Sequence, residues 1–359
     1  MPALFDPITV RGLTARHRIW LAPMCQYSAV EGMPGDWHLV NLGARATGGF
    51  ALLLTEAAAV TPDGRISPED AGIWTDEQAG AWSRIVDFVH AQGALIGTQL
   101  AHAGRKGSTY RPWAPHRGSV PPTDGGWVPV APSAAPYPSY AEPEALTAAG
   151  IGDVVAAFRD AALRAVDAGF DTVELHAAHG YLLHQFLSPL SNHRDDAWGG
   201  SFEGRTRIVL DTVDAVRDVI PDAMPLLVRI SGTDWLEGGW DLEQSTQLAI
   251  ALREHGVDLV DVSSGGNAPA SIPVGPGYQV PLASGVRAGA GVPTGAVGLV
   301  TEPVQAEKIV ANGEADVVLL ARAALREPSW PLRAAHELGV AVEDAGWPDQ
   351  YTRGVWPTA

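Results

Sequence analysis

The chain has 359 residues, 46% of them hydrophobic, and a formal charge of −17. That anionic balance argues against nucleic acid and against anionic membrane surfaces as partners, because both repel a net anion. No apolar run is long enough to span a membrane, and Cys25, the only cysteine, excludes an internal disulfide and any Cys-ligated zinc or iron–sulfur site.

In chain order, residues 8–14 are apolar on both sides of Arg11-Gly12 and predict a hairpin. Short β-branched or Leu-rich runs follow at 19–21, 51–55, 95–99, 172–175, 226–230, 259–263, 294–297 and 317–320. Helical patterns lie between them at 77–91, 154–168, 205–219, 243–255 and 303–312. In the third of these, Ile208, Val209, Thr212, Val213, Val216 and Val219 form one apolar face. Gly169 and Gly256 stand where left-handed helix caps belong. The strands are apolar nearly throughout, as strands covered on both faces must be. Such alternation predicts an α/β chain folded as one (β/α)8 TIM barrel over 1–359. One stretch breaks the rhythm: 104–147 is rich in Pro, Gly, Ser and Trp. A loop of that length is usually functional or disordered. Trp113, Trp127, Tyr137 and Tyr140 favour an ordered lid over the core of the insertion, 107–145. The N-terminal residues show no export signal, so a cytoplasmic protein is expected.

Barrels of this kind place their chemistry at the C-terminal strand ends. Read in order, those ends carry Cys25 and Tyr27, Glu56, Gln99 with Arg105 and Lys106, His176 with His179 and Tyr181, Arg229, Ser263, Gly298 and Arg322. Two neutral imidazoles beside a phenol suit an electron-poor carbonyl or nitro group. The imidazoles hold its oxygen while the phenol delivers a proton. The small residues 295–298 let backbone N–H groups approach an anion, which Arg322 can bind bidentately. Neither a Walker sequence nor a Gly-x-Gly-x-x-Gly after a strand is present, so no classical dinucleotide fold is indicated.

Several of these stretches form longer motifs: Ala22-Pro-Met-Cys25-Gln-Tyr27, Gln99-Leu-Ala-His-Ala-Gly-Arg-Lys106 and Glu174-Leu-His-Ala-Ala-His-Gly-Tyr181. To them belong Asn192-His-Arg194, Thr294-Gly-Ala-Val-Gly298 and Gln350-Tyr-Thr-Arg353-Gly. From Leu4 to Trp356 the chain resembles the Old Yellow Enzyme family of FMN-dependent ene-reductases, in its bacterial subgroup with a cysteine near the flavin. The resemblance implies a ping-pong reaction. NADPH or NADH gives a hydride to flavin N5, and an enone or nitroalkene then takes it up. It implies that Pro23, Met24, Ala57 and Gln99 line the flavin ring and that Arg229 sits near its N1–C2 carbonyl region. Ser263, Gly265, Gly298, Ala321 and Arg322 would hold the ribityl phosphate. Cys25 would tune the flavin potential, His176 and His179 would clamp the substrate oxygen, Tyr181 would give the proton and Tyr27 would help bind substrate. Arg353, in a tail over 340–359, would reach the active site of a neighbouring subunit in a homodimer or homotetramer. The chain departs from the pattern at Ala321, where relatives carry Gly, and at Gly204, where they often carry Asn and a looser helix start is expected. Its 107–145 loop is longer than in compact members and is expected to border the pocket and set substrate range.

Two other readings use the same residues. A metal-dependent barrel hydrolase would take His176, His179, His184 and Glu174 as ligands. Against it stand Arg229 at the same site and the lack of an acidic cluster at the other strand ends. A flavin-binding redox sensor would work through Cys25 without turnover.

Overall fold

The computed structural model describes residues 1–357; Thr358 and Ala359, the end of the expected 340–359 tail, lie outside the described residues. The hairpin is formed by β1 (Ile8–Val10) and β2 (Leu13–Ala15), paired antiparallel. Next come β3 (Ile19–Leu21), β4 (Leu52–Ala59) and β5 (Leu95–Ala101). Two-residue strands β6 (Val130–Ala131) and β7 (Glu144–Ala145) pair with each other inside the long loop. Then follow β8 (Thr172–Ala177), β9 (Leu226–Ser231), β10 (Leu259–Ser263), β11 (Thr294–Ala296) and β12 (Val317–Leu320). Strands β3, β4, β5, β8, β9, β10, β11 and β12 close in that order into a parallel barrel, the expected (β/α)8 fold.

Alternation along each strand divides the core in two. Ile19 and Leu21 face outward into a cluster shared with the helices, while Trp20 between them faces inward. Inside the ring, Trp20, Leu52, Leu54, Leu227, Leu259 and Leu319 form one apolar cluster, closed from the hairpin side by Val10 and Ala15. Each such side chain contributes about 2 kcal/mol by leaving water. The N-terminal end of the barrel is thereby plugged with hydrocarbon, and the polar strand residues collect at the other end.

The expected helices appear as Asp76–Ala91, Ala148–Asp167, Phe202–Arg217, Leu242–Glu254 and Pro303–Ala311. Ile208, Val209, Thr212, Val213 and Val216 are buried as the pattern requires, and Val219 is half-buried. The helix at 148 starts earlier than expected because the Thr147 hydroxyl accepts from the Gly150 N–H. Likewise Ser201 caps the helix Phe202–Arg217 by accepting from the Gly204 N–H at 3.2 Å, so Gly204 does not loosen its start. Helices Asp36–Thr47, Leu182–Leu187, Val280–Ala290, Arg322–Arg326 and Trp330–Glu337 were not expected. Strands β4, β5 and β8 run beyond their expected ends, which brings Glu56, Ala57 and His176 into the sheet.

The 104–147 segment is tied down at several points. Arg194 donates to the carbonyls of Pro132 (2.9 Å) and Leu146 (2.6 Å), and Trp127 donates to the Asp63 carbonyl (2.9 Å). Arg105 reaches the Ala135 carbonyl at 3.0 Å. Among the described residues no helix is long and apolar enough to cross a membrane.

Candidate active site

Three strand ends bring the first group together. Pro23 and Met24 leave β3, and the chain turns at Tyr27 in a left-handed conformation (φ 47). Across from it, the pairing of β4 with β5 shifts by one residue between Leu54 and Ala57, a bulge that re-aims Glu56. Glu56 accepts from the Gln26 N–H (2.9 Å) and pairs with His38 at 3.0 Å, both side chains buried. Burial, with Asp70 and Glu56 nearby, pushes the Cys25 thiol well above its ordinary range, so Cys25 stays a thiol at neutral pH. This does not resemble the electropositive setting of a reactive thiolate.

The end of β8 supplies the second group. His176 Nε2 lies 3.5 Å from His179 Nδ1 with the rings edge to face, and the Tyr181 ring centroid is 5.0 Å from that of His176. The turn that folds them back needs two left-handed residues in succession, His179 (φ 59) and Gly180 (φ 71). It is held by polar contacts on every side. The His179 N–H donates to Ser231 Oγ (2.9 Å) and the Gly180 N–H to His184 Nδ1 (2.9 Å). His184 in turn pairs with buried Asp234 at 3.1 Å. A Cβ on Gly180 would meet the Gly266 carbonyl oxygen at 2.3 Å. Gly180→Ala is therefore expected to destabilise the protein by about 2–4 kcal/mol, through left-handed strain and backbone collision together. Denaturant unfolding measures this, and a change below about 0.5 kcal/mol would show that the turn can relax.

Burial, then the Arg229 charge, holds both imidazoles well below the usual histidine range, and burial holds the Tyr181 phenol well above that of tyrosine. At neutral pH the site thus presents two uncharged imidazoles and one protonated phenol.

Below them lies a charged layer. Register places Gln99 beside Glu174, and Arg229 between His176 and Asp261. Gln99 Nε2 donates to Glu174 Oε1 (2.8 Å), and Arg229 Nε lies 2.7 Å from Asp261 Oδ2, close but poorly aligned for a hydrogen bond. Burial and then Asp261 push Glu174 up to about 8, against the downward pull of Arg229 and Gln99. Glu174 therefore keeps its proton at neutral pH, and Arg229 is balanced by Asp261.

A cavity of about 240 Å³ runs from His179 to the ends of β10, β11 and β12, where Ser263, Gly298, Ala321 and Arg322 line it. Ser264 and Gln279 also line it and were not anticipated; Ser264 donates to Gln279 Oε1 at 2.7 Å. Gly265, expected here, does not line it: its N–H is committed to the Thr233 carbonyl at 2.8 Å. A second space of about 430 Å³ opens beside Cys25 and Gln26, walled by Trp37 and Trp113. Trp113, from the long loop, meets the Tyr27 ring edge-on at 5.8 Å. Arg353 is exposed on the turn Asp349–Gly354 and lines neither space.

The donor set fits a flavin nucleotide. Glu174 Oε2 and His176 Nδ1 are buried without a partner beside the layer, offering polar contacts to a ring edge. Arg322 and the small residues at the far end of the cavity suit its phosphate. His176 and His179 meet, but the other two residues of the hydrolase reading do not join them as ligands. His184 is taken by Asp234 and Glu174 by Gln99, and no cluster of metal-ligating side chains forms among the described residues.

The profile described as the NADH:flavin oxidoreductase / NADH oxidase family matches residues 3–340. The chain is 48% identical over 354 residues to an NADPH dehydrogenase of Geobacillus thermodenitrificans, covering 98% of each. Among solved structures, morphinone reductase superposes with a TM-score of 0.79 at 29% identity, covering 97% of this chain and 96% of that one. A 2-naphthoyl-CoA reductase in complex with 2-naphthoyl-CoA superposes with a TM-score of 0.85 at 26% identity. The chain spans about half of that longer protein (52%) and aligns over 93% of its own length.

Proposed function

The chain belongs to the NADH:flavin oxidoreductase / NADH oxidase family, and from that premise we propose that it is an FMN-dependent NAD(P)H dehydrogenase that reduces activated C=C bonds. Its substrates are α,β-unsaturated carbonyl and nitro compounds, taken up after the nicotinamide has left. FMN, when bound, supplies the hydride relay between NADPH and the alkene. Arg322, Gly298, Ala321 and Ser263 would hold its phosphate, and Pro23, Met24, Ala57 and Gln99 would border its ring. Arg229 would provide the positive charge that favours an anionic reduced ring. Cys25, kept as a thiol, would adjust the ring's potential through contact rather than through its own redox chemistry.

The remaining work falls to the chain's own side chains, with the His179 ring released from Ser263 Oγ, which its Nε2 meets at 2.7 Å. His176 and His179 donate to the substrate oxygen, where negative charge grows as the double bond is reduced. A donor placed in advance contributes about 3–4 kcal/mol to such a step. Tyr181 gives its phenolic proton to the α-carbon and recovers it from solvent. Tyr27 and the Trp113 wall orient the substrate. Arg353 would serve the site of a neighbouring subunit in a homodimer or homotetramer, and the cytoplasm is the natural compartment for a reaction that consumes NADPH.

The observation that carries this reading is the clustering of His176, His179 and Tyr181 at one strand end, with His179 on a cavity that ends at Arg322. It is tested by NADPH consumption in proportion to added cyclohexenone. Because both imidazoles are neutral well below their ordinary range, kcat/KM for the enone is expected to stay level from about pH 7.5 down to about pH 5.5. A tenfold loss per unit starting near about pH 6.5 would mean that they titrate as exposed histidines do.

A further inference from the structure

Lys106 is a half-buried cation that the reaction above leaves without a task. It follows buried Arg105 in the turn Gly104–Lys106, after β5, and its side chain reaches the turns that follow β8 and β10. Its ammonium donates to the carbonyls of His179 (2.8 Å) and Gly266 (2.9 Å). Nζ lies 5.0 Å from the ring centroid of Tyr181 and 5.0 Å from that of Tyr137. Among the described residues no carboxylate pairs with it. An ammonium drawn partly out of water without a carboxylate is costly, and here its charge is met by two carbonyl dipoles and two aromatic faces. Burial and the adjacent Arg105 bring it down to about 8, so most of the population is charged at neutral pH. One of those faces belongs to the proposed proton donor, one carbonyl belongs to the left-handed residue of the imidazole pair, and the other face comes from the long loop.

We propose that Lys106 and Tyr137 are positioning residues: together they clamp the Tyr181 phenol and the His179 turn, so that the 107–145 loop serves proton transfer as well as bordering the pocket. This rests on the reading of Tyr181 as proton donor. Removing the ammonium frees the His179 and Gly266 carbonyls of their donor and Tyr181 of the charge beside its ring. Removing Tyr137 exposes one side of the ammonium to water and releases the loop from it. Because the clamp joins Tyr137 to Tyr181 through Lys106, the proposal requires the effect of Tyr137 to vanish when Lys106 no longer carries charge.

The test is a double-mutant cycle on the FMN-loaded enzyme with Lys106→Met, Tyr137→Leu and the pair, and with Lys106→Arg as the conservative variant. Three quantities are read: kcat with cyclohexenone, the rate of flavin reduction by NADPH, and trypsin cleavage after Arg117, which is exposed within the loop. Lys106→Met is expected to lower kcat with the enone about 10- to 100-fold, and Tyr137→Leu about 3- to 10-fold with KM little changed. Flavin reduction falls far less in Tyr137→Leu, and cleavage after Arg117 quickens in both single variants. Lys106→Arg, which keeps charge, donors and a face for stacking, restores most of the rate. In the pair, Tyr137→Leu adds nothing to Lys106→Met. Methionine keeps the length and packing of the lysine stem, so a Lys106→Met enzyme with wild-type kcat would overturn the proposal, as would strictly additive effects. If Lys106→Met does not fold, Tyr137→Leu and Lys106→Arg decide it: equal loss of enone turnover and flavin reduction in Tyr137→Leu contradicts the clamp. A Tyr181→Phe enzyme with undiminished alkene reduction would instead overturn the proton-donor reading, while the cycle on trypsin cleavage still reports on the clamp itself.

Discussion

Replacing Tyr181 by Phe is expected to slow alkene reduction by about 10²- to 10³-fold, the range for loss of a positioned general acid. Flavin reduction by NADPH stays within about twofold, since no proton is delivered by the phenol in that step. The substitution removes one oxygen and leaves the ring that packs against His176 at 5.0 Å, so the turn is undisturbed. The phenol is suited to giving a proton because burial keeps it protonated across the neutral range. Separate measurement of the two half-reactions checks this. Equal slowing of both would move the defect to the cofactor, and no slowing of either would remove Tyr181 from the chemistry.

Arg229→Leu is the substitution with the largest expected effect on stability. Arg229 and Asp261 are both buried, and Glu174 stands near them with its proton held by burial. Taking the cation away leaves a buried carboxylate uncompensated, which costs about 3–5 kcal/mol. Protonation of Asp261, already drawn upward by burial, limits the loss. The damage is therefore smaller at low pH and grows as pH rises and Asp261 ionises. A second change, Asp261→Asn, is expected to recover most of the lost stability without recovering flavin reduction, because the charge under the ring is still missing. Denaturant unfolding of the single and double variants checks both parts. A loss below about 1 kcal/mol in Arg229→Leu would mean that water already reaches the pair.

The barrel was legible because its strands are apolar nearly throughout, as in Val317–Leu320 and in Leu226–Ser231 apart from Arg229 and Ser231, with few rival conformations for such residues. The helix Val280–Ala290 was not legible. It carries Pro281 in its first turn, and Gly285 and Gly289 inside, residues that read as loop. The glycines are there for contact: a Cβ at Gly285 would lie 3.0 Å from Leu242 Cδ2, and one at Gly289 would lie 2.4 Å from Thr246 Cγ2 of the neighbouring helix. Asp36–Thr47 was missed for another reason, since Trp37 and Val40 are exposed and blur its apolar stripe. In the site, His176, His179 and Tyr181 could be read from spacing because one strand end and one turn carry all three. Gln279 could not, since it enters the cavity from a helix start far along the chain. Gly265 has the pattern of a phosphate loop, yet its N–H is taken by the Thr233 carbonyl. Lys106 was visible as a letter in a motif, but its partners lie on three other segments, and only the fold brings them together.

The most direct test of the central claim is the visible absorbance of the purified protein, followed without oxygen through two additions. The account predicts a yellow protein that bleaches on addition of NADPH and regains its colour when cyclohexenone is added. It is contradicted by a colourless protein that takes up no flavin when FMN is supplied in excess, or by a bleached one whose colour no enone or nitroalkene restores.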